Sequence, residues 1–274
     1  MQCSSETLKK VIHKRHKNSI KGDFGKILII GGSQDYVGAP DFAANIALSV
    51  LRSGSDWVTI AAPEKVAWAI NCLSPDVITK KIECKFFSSK NSLEIVEFSN
   101  RFDSVLIGPG LGDKKETLLF CRDVIKQIKQ PKIIDADAIK SVKIQEISNS
   151  VITANQRELN ILIDNSNIKL SKIEEIQPFL GNNIIISKGN PDIIISDKKI
   201  AYNKTGNPGM TVAGTGDILA GIISGFSSQN NSLFDAACAG TYLCGLVGDQ
   251  LFKEFGNGLL ASDFIDKITD YLKV

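Results

Sequence analysis

Short apolar runs that do not alternate with polar residues punctuate the chain: Lys26–Gly32 (KILIIGG), Trp57–Pro63 (WVTIAAP), Ser104–Gly110 (SVLIGPG), Lys132–Ala138 (KIIDADA), Val151–Asn155 (VITAN) and Asn183–Gly189 (NIIISKG). Runs such as ILII and IIIS suit strands covered on both faces, hence a mainly parallel sheet. Helical periodicity lies between them at Ala39–Leu51, Pro63–Cys72, Lys115–Ile128 and Ile173–Leu180. The alternation predicts a doubly wound α/β layer structure. Asp192–Ser196 and Ile200–Asn203, joined by Asp-Lys-Lys, predict a hairpin on that sheet. Three helices should follow: one opening at Gly214–Asp217, one over Leu233–Phe252, and one starting near Ser262 or Asp263. The last presents Phe264, Ile265, Ile268, Tyr271 and Leu272 on one face. No linker, repeat or biased segment interrupts this order, and residues 1–274 read as one domain.

Ligands of open α/β sheets collect outside the carboxyl ends of the strands. Here those ends carry Gly31–Ser33, Gly108–Gly112 (GPGLG), Asp135–Asp137 (DAD), Asn155–Glu158 and Lys188–Gly189, each small or polar directly after an apolar run. Together they predict a binding cleft along one sheet edge.

Composition changes this picture little. A net charge of +2 gives no electrostatic reason to expect nucleic acid or an acidic membrane as partner. The basic stretch Lys9–Lys21, with both histidines (His13, His16), reads as a solvated helix end or a weak anion contact. Six scattered cysteines without CxxC spacing argue against structural zinc, and Cys238 and Cys244 read as small buried hydrophobes. No signal peptide and no run of 18 apolar residues is present, so the expected setting is cytoplasmic, with thiols reduced.

The chemistry concentrates in Asn207–Gly221, NPGMTVAGTGDILAG. Gly214 and Gly216 allow close backbone approach, and the free N–H groups opening the following helix make a phosphate-type anion site. Asp217 is oddly placed there. It is either a first-turn acid favoured by the helix dipole or a general base beside a phosphate in transfer. Neither a Walker A loop nor a GxGxxG fingerprint occurs.

The GTGD turn resembles the anion hole of ribokinase-like small-molecule kinases. The blocks Lys21–Pro40, Gly108–Gly112, Asp135–Lys140 (DADAIK), Thr153–Glu158 (TANQRE), Ser187–Gly189 and Asn203–Ile223 together resemble the ADP/ATP-dependent NAD(P)H-hydrate dehydratases, over nearly the whole chain. The resemblance implies a ribokinase-like three-layer α/β fold, with helices on both faces of a mainly parallel sheet, and the stand-alone form of the enzyme. It implies that a nucleotide, ADP or ATP, phosphorylates the C6 hydroxyl of hydrated NADH or NADPH, after which phosphate departs. Asp217 would be the base, with Gly214, Thr215 and Gly216 as anion hole. Lys188, Gly189, Asn190, Pro191, Asp192 and Gly216 would bind the nucleotide. Ala39, Gly110, Asn155 and Asp217 would bind the hydrated substrate, with the loop Gly38–Pro40 beside it. Magnesium on the phosphates and a homotetramer belong to the same implication, and the stand-alone form points to ADP as donor.

Where the family reads TPHxGE, this chain has Asn155 in place of the histidine, which permits a positioning role but no proton relay. Asp135 and Asp137 read either as groups near magnesium or as turn carboxylates. Glu158 reads as a cleft residue, Tyr36 as a stacking or half-buried loop residue, and Trp57 and Trp68 as core. Two other functions compete: a true kinase of the same fold that leaves phosphate on its product, and a non-catalytic nucleotide-binding module.

Overall fold

The computed structural model describes residues 1–34 and 39–273, apart from the side chains at 39–44 and 47. Among these, Tyr36 and Gly38 do not fall. The elements run α1 (Ser5–Lys9), β1 (Lys26–Ile30), α2 (Ala39–Arg52), β2 (Trp57–Pro63), α3 (Glu64–Leu73), β3 (Ile78–Ile82), α4 (Ser92–Ser99), β4 (Ser104–Ile107), α5 (Lys115–Gln127), β5 (Lys132–Ile134), β6 (Ser150–Ala154), α6 (Gln156–Asn165), β7 (Ile184–Ser187), β8 (Asp192–Ile195), β9 (Ile200–Asn203), α7 (Thr215–Ser228), α8 (Leu233–Phe255) and α9 (Phe264–Lys267). Several 3-10 turns join them.

The strands form one sheet in the order β3-β2-β1-β4-β5-β6-β7-β8-β9. All pairings from β3 to β7 are parallel, and the expected hairpin adds β8 and β9 antiparallel. Alternate residues of β1 serve two separate cores: Ile27 and Ile29 face α2, α3, α7, α8 and α9, whereas Leu28 and Ile30 face α4, α5 and α6. Burial on both faces is what a near-continuous apolar run requires. It places every βα turn from β1 to β7 at one edge, so the polar segments after those strands converge as expected.

Three expectations need correction. Ile173–Phe179 is a 3-10 run containing Pro178, whose missing N–H and fixed φ oppose a regular α-helix. The apolar pattern does not predict β3: ITKKI is an edge strand whose lysines and exposure hide its pattern. Trp68 is not core. It is 56% exposed on α3, with Lys81 Nζ 4.2 Å above its ring.

Helices α2 and α7 pack almost backbone to backbone. A Cβ at Gly225 would sit 1.7 Å from Ser53 Oγ, a hydroxyl already donated to the Val50 carbonyl. Gly225→Ala should therefore cost about 1–3 kcal/mol and lower Tm by roughly 2–4 °C per kcal/mol. Thermal melts should show partial recovery in Gly225→Ala/Ser53→Ala. No change in Tm would mean the helix pair yields freely.

Candidate active site

The strand order reverses around β1, which lies between β2 and β4, and the cleft opens there. Three turns interlock at this point. Gly32 N–H donates to the Pro109 carbonyl at 2.9 Å, and Gly112 N–H donates to Asp137 Oδ2 at 2.9 Å. Gly108, at φ +135°, has room for no side chain, because a Cβ would lie 1.7 Å from the Asp135 carbonyl. Asp137 is thus a carboxylate that pins the GPGLG turn, and Lys140 holds its other oxygen at 2.8 Å. Gly110 stands at φ +65° in the middle of that turn. Ala39 is the first residue of α2.

Three charged groups meet further along the edge. Lys188, directly after β7, brings Nζ to 3.5 Å from Asp135 Oδ1 and 3.8 Å from Glu158 Oε2. Asp135 follows β5, is 2% exposed, and also accepts a hydrogen bond from Thr153 Oγ1 on β6. Burial opposes the Lys188 charge, but Asp135 and Glu158 outweigh it and hold its pKa above the usual ammonium value. Glu158 is pushed up by burial, against the pull of Lys188.

The anion site itself is the start of α7. Gly214 caps it in the left-handed conformation at φ +96°, which a glycine adopts without strain. The first intrahelical bond runs from Ile218 N–H to the Gly214 carbonyl, so the N–H groups of Thr215, Gly216 and Asp217 precede the helical ladder. The Thr215 hydroxyl is committed to the Met210 and Val212 carbonyls, leaving its backbone N–H to serve a ligand. A Cβ on Gly216 would stand 3.4 Å from Lys188 Nζ, so the ammonium lies against the helix start. Asp217 is the anomaly at this positive end. Burial, with Asp135 next in weight, pushes its carboxyl up to about 7 despite Lys188. A first-turn acid stabilised by the dipole alone would be pulled the other way.

Beside the anion site opens a cavity of about 490 Å³, walled by the turn after β7, the first residue of β8, the turn 205–211, α7 and α8. Lys188, Gly189, Asn190, Asp192, Thr215 and Gly216 line it. Pro191 does not line it; it follows a cis peptide bond in the turn between β7 and β8. Asp192 closes that turn by accepting from Gly189 N–H at 2.9 Å and Asn203 Nδ2 at 3.0 Å. Asn207, which opens the chemical stretch but has no role assignable from sequence, accepts from Gly209 N–H and donates to Asp249 on α8, tying the turn along the cavity to that helix.

Asn155 caps α6. Its Oδ1 accepts from Glu158 N–H at 3.0 Å while Glu158 Oε2 accepts from Asn155 N–H at 2.9 Å, a reciprocal capping box. Nδ2, with two N–H donors, and the second lone pair of Oδ1 remain for a ligand.

The sequence profile described as NAD(P)H-hydrate dehydratase matches residues 27–270. The chain belongs to this family. Among curated dehydratase-family relatives, the bifunctional NAD(P)H-hydrate repair enzyme of Pyrobaculum aerophilum is 35% identical over 262 residues, covering 93% of this chain and 52% of that protein. The chain thus spans about half the length of the first curated relatives it matches. The ATP-dependent (S)-NAD(P)H-hydrate dehydratase of Drosophila pseudoobscura is 32% identical, with 95% of this chain and 90% of that one aligned. A ribokinase-like protein of known structure from Enterococcus faecalis superposes with a TM-score of 0.83 at 26% identity, covering 98% and 94% of the two chains. The ADP/ATP-dependent dehydratase of Bacillus subtilis, co-crystallised with ATP and Mg2+, gives 0.77 at 21% identity over 99% and 98%. The dehydratase family thus carries the three-layer fold expected from the sequence.

Proposed function

We propose that the protein is an ADP-dependent (S)-NAD(P)H-hydrate dehydratase, with residues 1–274 acting as one catalytic domain. The observation that carries this reading is Asp217: a carboxyl whose pKa burial pushes up to about 7 in the first turn of α7, in the field of Lys188 and next to Thr215 and Gly216, which line a nucleotide-sized cavity. The nucleotide occupies the cavity along Lys188–Asp192, with its terminal phosphate against the N–H groups of Thr215 and Gly216 and the ammonium of Lys188. The hydrated nicotinamide lies at the switch point, between α2 at Ala39, the Gly110 turn, Asn155 and Asp217.

Asp217 then takes the C6 hydroxyl proton as that oxygen attacks the terminal phosphorus and the shortened nucleotide leaves. Donors fixed at the helix start stabilise charge that builds on the transferring group without reorganising. Departure of phosphate with the C6–O electron pair, and loss of a ring proton, restores the reduced nicotinamide. The described residues contain no group of three or more His, Cys, Asp or Glu arranged to hold a metal. Magnesium characteristically uses one or two carboxylates plus substrate phosphates, and Glu158 suits that donor set, whereas Asp135 is buried and already held by Lys188 and Thr153. When bound it would neutralise phosphate charge. A cytoplasmic setting and a homotetramer belong to the same reading; six free cysteines agree with the former, and sedimentation tests the latter.

The direct test incubates protein and magnesium with hydrated NADH plus ADP, ATP or neither, following reduced-nicotinamide absorbance and free phosphate. Return of NADH with ADP supports the reading. A stable phosphorylated product without NADH would overturn it in favour of a kinase.

Two further outcomes are expected. The pH dependence of kcat/KM, which reports the free enzyme, should show an acid limb with an apparent pKa of about 7, because Asp217 must be ionised to accept a proton. A limb near 4 would exclude Asp217 as the base. Asp137→Ala, which frees the Gly112 turn, should raise KM for the hydrated dinucleotide about 10-fold, the loss of one charged hydrogen bond. KM for ADP should stay unchanged in the same assay.

A further inference from the structure

At the amino ends of β1, β2 and β3, on the edge opposite the catalytic cleft, the surface holds a second concavity of about 300 Å³. Its walls are aromatic: Trp57 opens β2, and Phe98 and Phe102 stand in ring contact at 5.2 Å at the end of α4. Ile78, 42% exposed at the start of β3, completes the apolar lining. Trp57 is already fixed in orientation, because its Nε1 donates to Thr59 Oγ1 at 3.0 Å.

The rim carries positive charge. Lys21 Nζ stands 4.2 Å over the Trp57 ring, and the Arg101 guanidinium 5.5 Å from the Phe98 ring. Lys26 lines the pocket as well. Among the described residues, no carboxylate forms an ion pair with Lys21, Lys26 or Arg101, whereas Lys80 on the same rim is taken up by Glu94 at 2.8 Å. Lys26 and Arg101 line the pocket and Lys21 stands over Trp57. The Asp103 carboxylate nearby is held by the Lys26 backbone N–H at 2.8 Å and forms no ion pair with these three, so their charge makes a surface for an anionic ligand with a flat face. A chain with a net charge of only +2 has carboxylates to spare elsewhere.

We propose that this pocket is a second ligand site, for a planar aromatic ring bearing an anionic group, with the ring against Trp57 and Phe98 and the anion toward Lys26, Lys21 and Arg101. Nucleoside monophosphates and simple aryl phosphates share that chemistry. A volume of about 300 Å³ is at the lower end of small-molecule pockets and admits a ligand of that size. Stacking and cation contacts in a half-open site support binding of moderate affinity. The site stands apart from the catalytic cleft and does not depend on the reading given to it.

Trp57 and Trp68 are the only tryptophans, and only Trp57 lines the pocket. Trp68→Phe therefore leaves a single emitter inside the site. In that background AMP and phenyl phosphate are titrated separately, with adenosine and inorganic phosphate as controls, and each titration is repeated in Arg101→Ala and in Lys26→Ala. The site predicts saturable quenching by AMP, by phenyl phosphate or by both, according to which source it accepts. Adenosine should bind at least 10-fold more weakly than AMP, and phosphate alone should give no signal. Each substitution should weaken binding at least 10-fold and leave dehydratase turnover unchanged. Quenching abolished by Lys188→Met but untouched by Arg101→Ala would overturn the proposal, since the ligand would then be in the catalytic cavity. So would an absence of quenching, including the case where Arg101→Ala alters the sedimentation coefficient and gives the pocket to a second copy of the chain.

Discussion

Asp217→Asn should abolish dehydration and at the same time make the protein more stable at alkaline pH. A positioned general base contributes about 10²–10⁴-fold to a rate, so single-turnover phosphorylation should fall at least 100-fold, with ADP binding retained by calorimetry. The stability effect follows from the same carboxyl. Its folded-state pKa, about 7, lies above the ordinary value of 3.8. Folding therefore favours the protonated form: no cost arises below pH ~4, the cost grows as pH rises, and it is complete above pH ~7. About three pKa units correspond to an upper bound near 4 kcal/mol, and partial solvent access at the cleft reduces this to about 2 kcal/mol. At pH 8.5 the variant should melt roughly 4–8 °C above the wild type, and at pH 4 the two should coincide. Equal melting temperatures at pH 8.5 would show that the Asp217 charge is not disfavoured by folding.

Lys188→Met should cost both activity and stability, and the two losses are separable. The Asp135 side chain is 3% exposed and holds Lys188 as its ion-pair partner, so removing the ammonium strands a buried charge. Breaking such a pair costs about 3–5 kcal/mol, or roughly 6–20 °C in Tm for a chain of this size. Asp135→Asn in the same chain removes the stranded charge and should restore most of the melting temperature. It should not restore turnover, because the terminal phosphate still lacks its cation; a loss of about 10²–10³-fold in kcat matches one electrostatic donor. Recovery of turnover in the double variant would reduce Lys188 to a structural counter-ion.

Much of this site was legible beforehand, for local reasons. Doubly covered strands announce themselves as unalternating apolar runs, so the pattern alone locates β1, β2, β4, β6 and β7. The Asx-x-x-Glu spacing of Asn155 and Glu158 is itself a helix-start signature, and the structure makes it one. What Asn155 replaces in the family is therefore a residue at a cap, with its Nδ2 donors left for substrate. The apolar pattern predicts neither the edge strand β3 nor helices α1, α4 and α6, the last despite its cap, since exposed faces dilute periodicity.

The sequence by itself determined the layers, the shared edge of the polar turns and the GTGD turn with its acid, because each depends on residues adjacent in the chain. It left open what Asp135 and Asp137 do, and only the tertiary structure separated them. Asp137 turns back to the Gly112 amide, while Asp135 meets Lys188, 53 residues away, because β5, β6 and β7 lie side by side. The perturbed Asp217 carboxyl has the same origin. Its environment is assembled from β5, α6, β7 and α7, and a field summed over such distant segments leaves no trace in the spacing of any one of them.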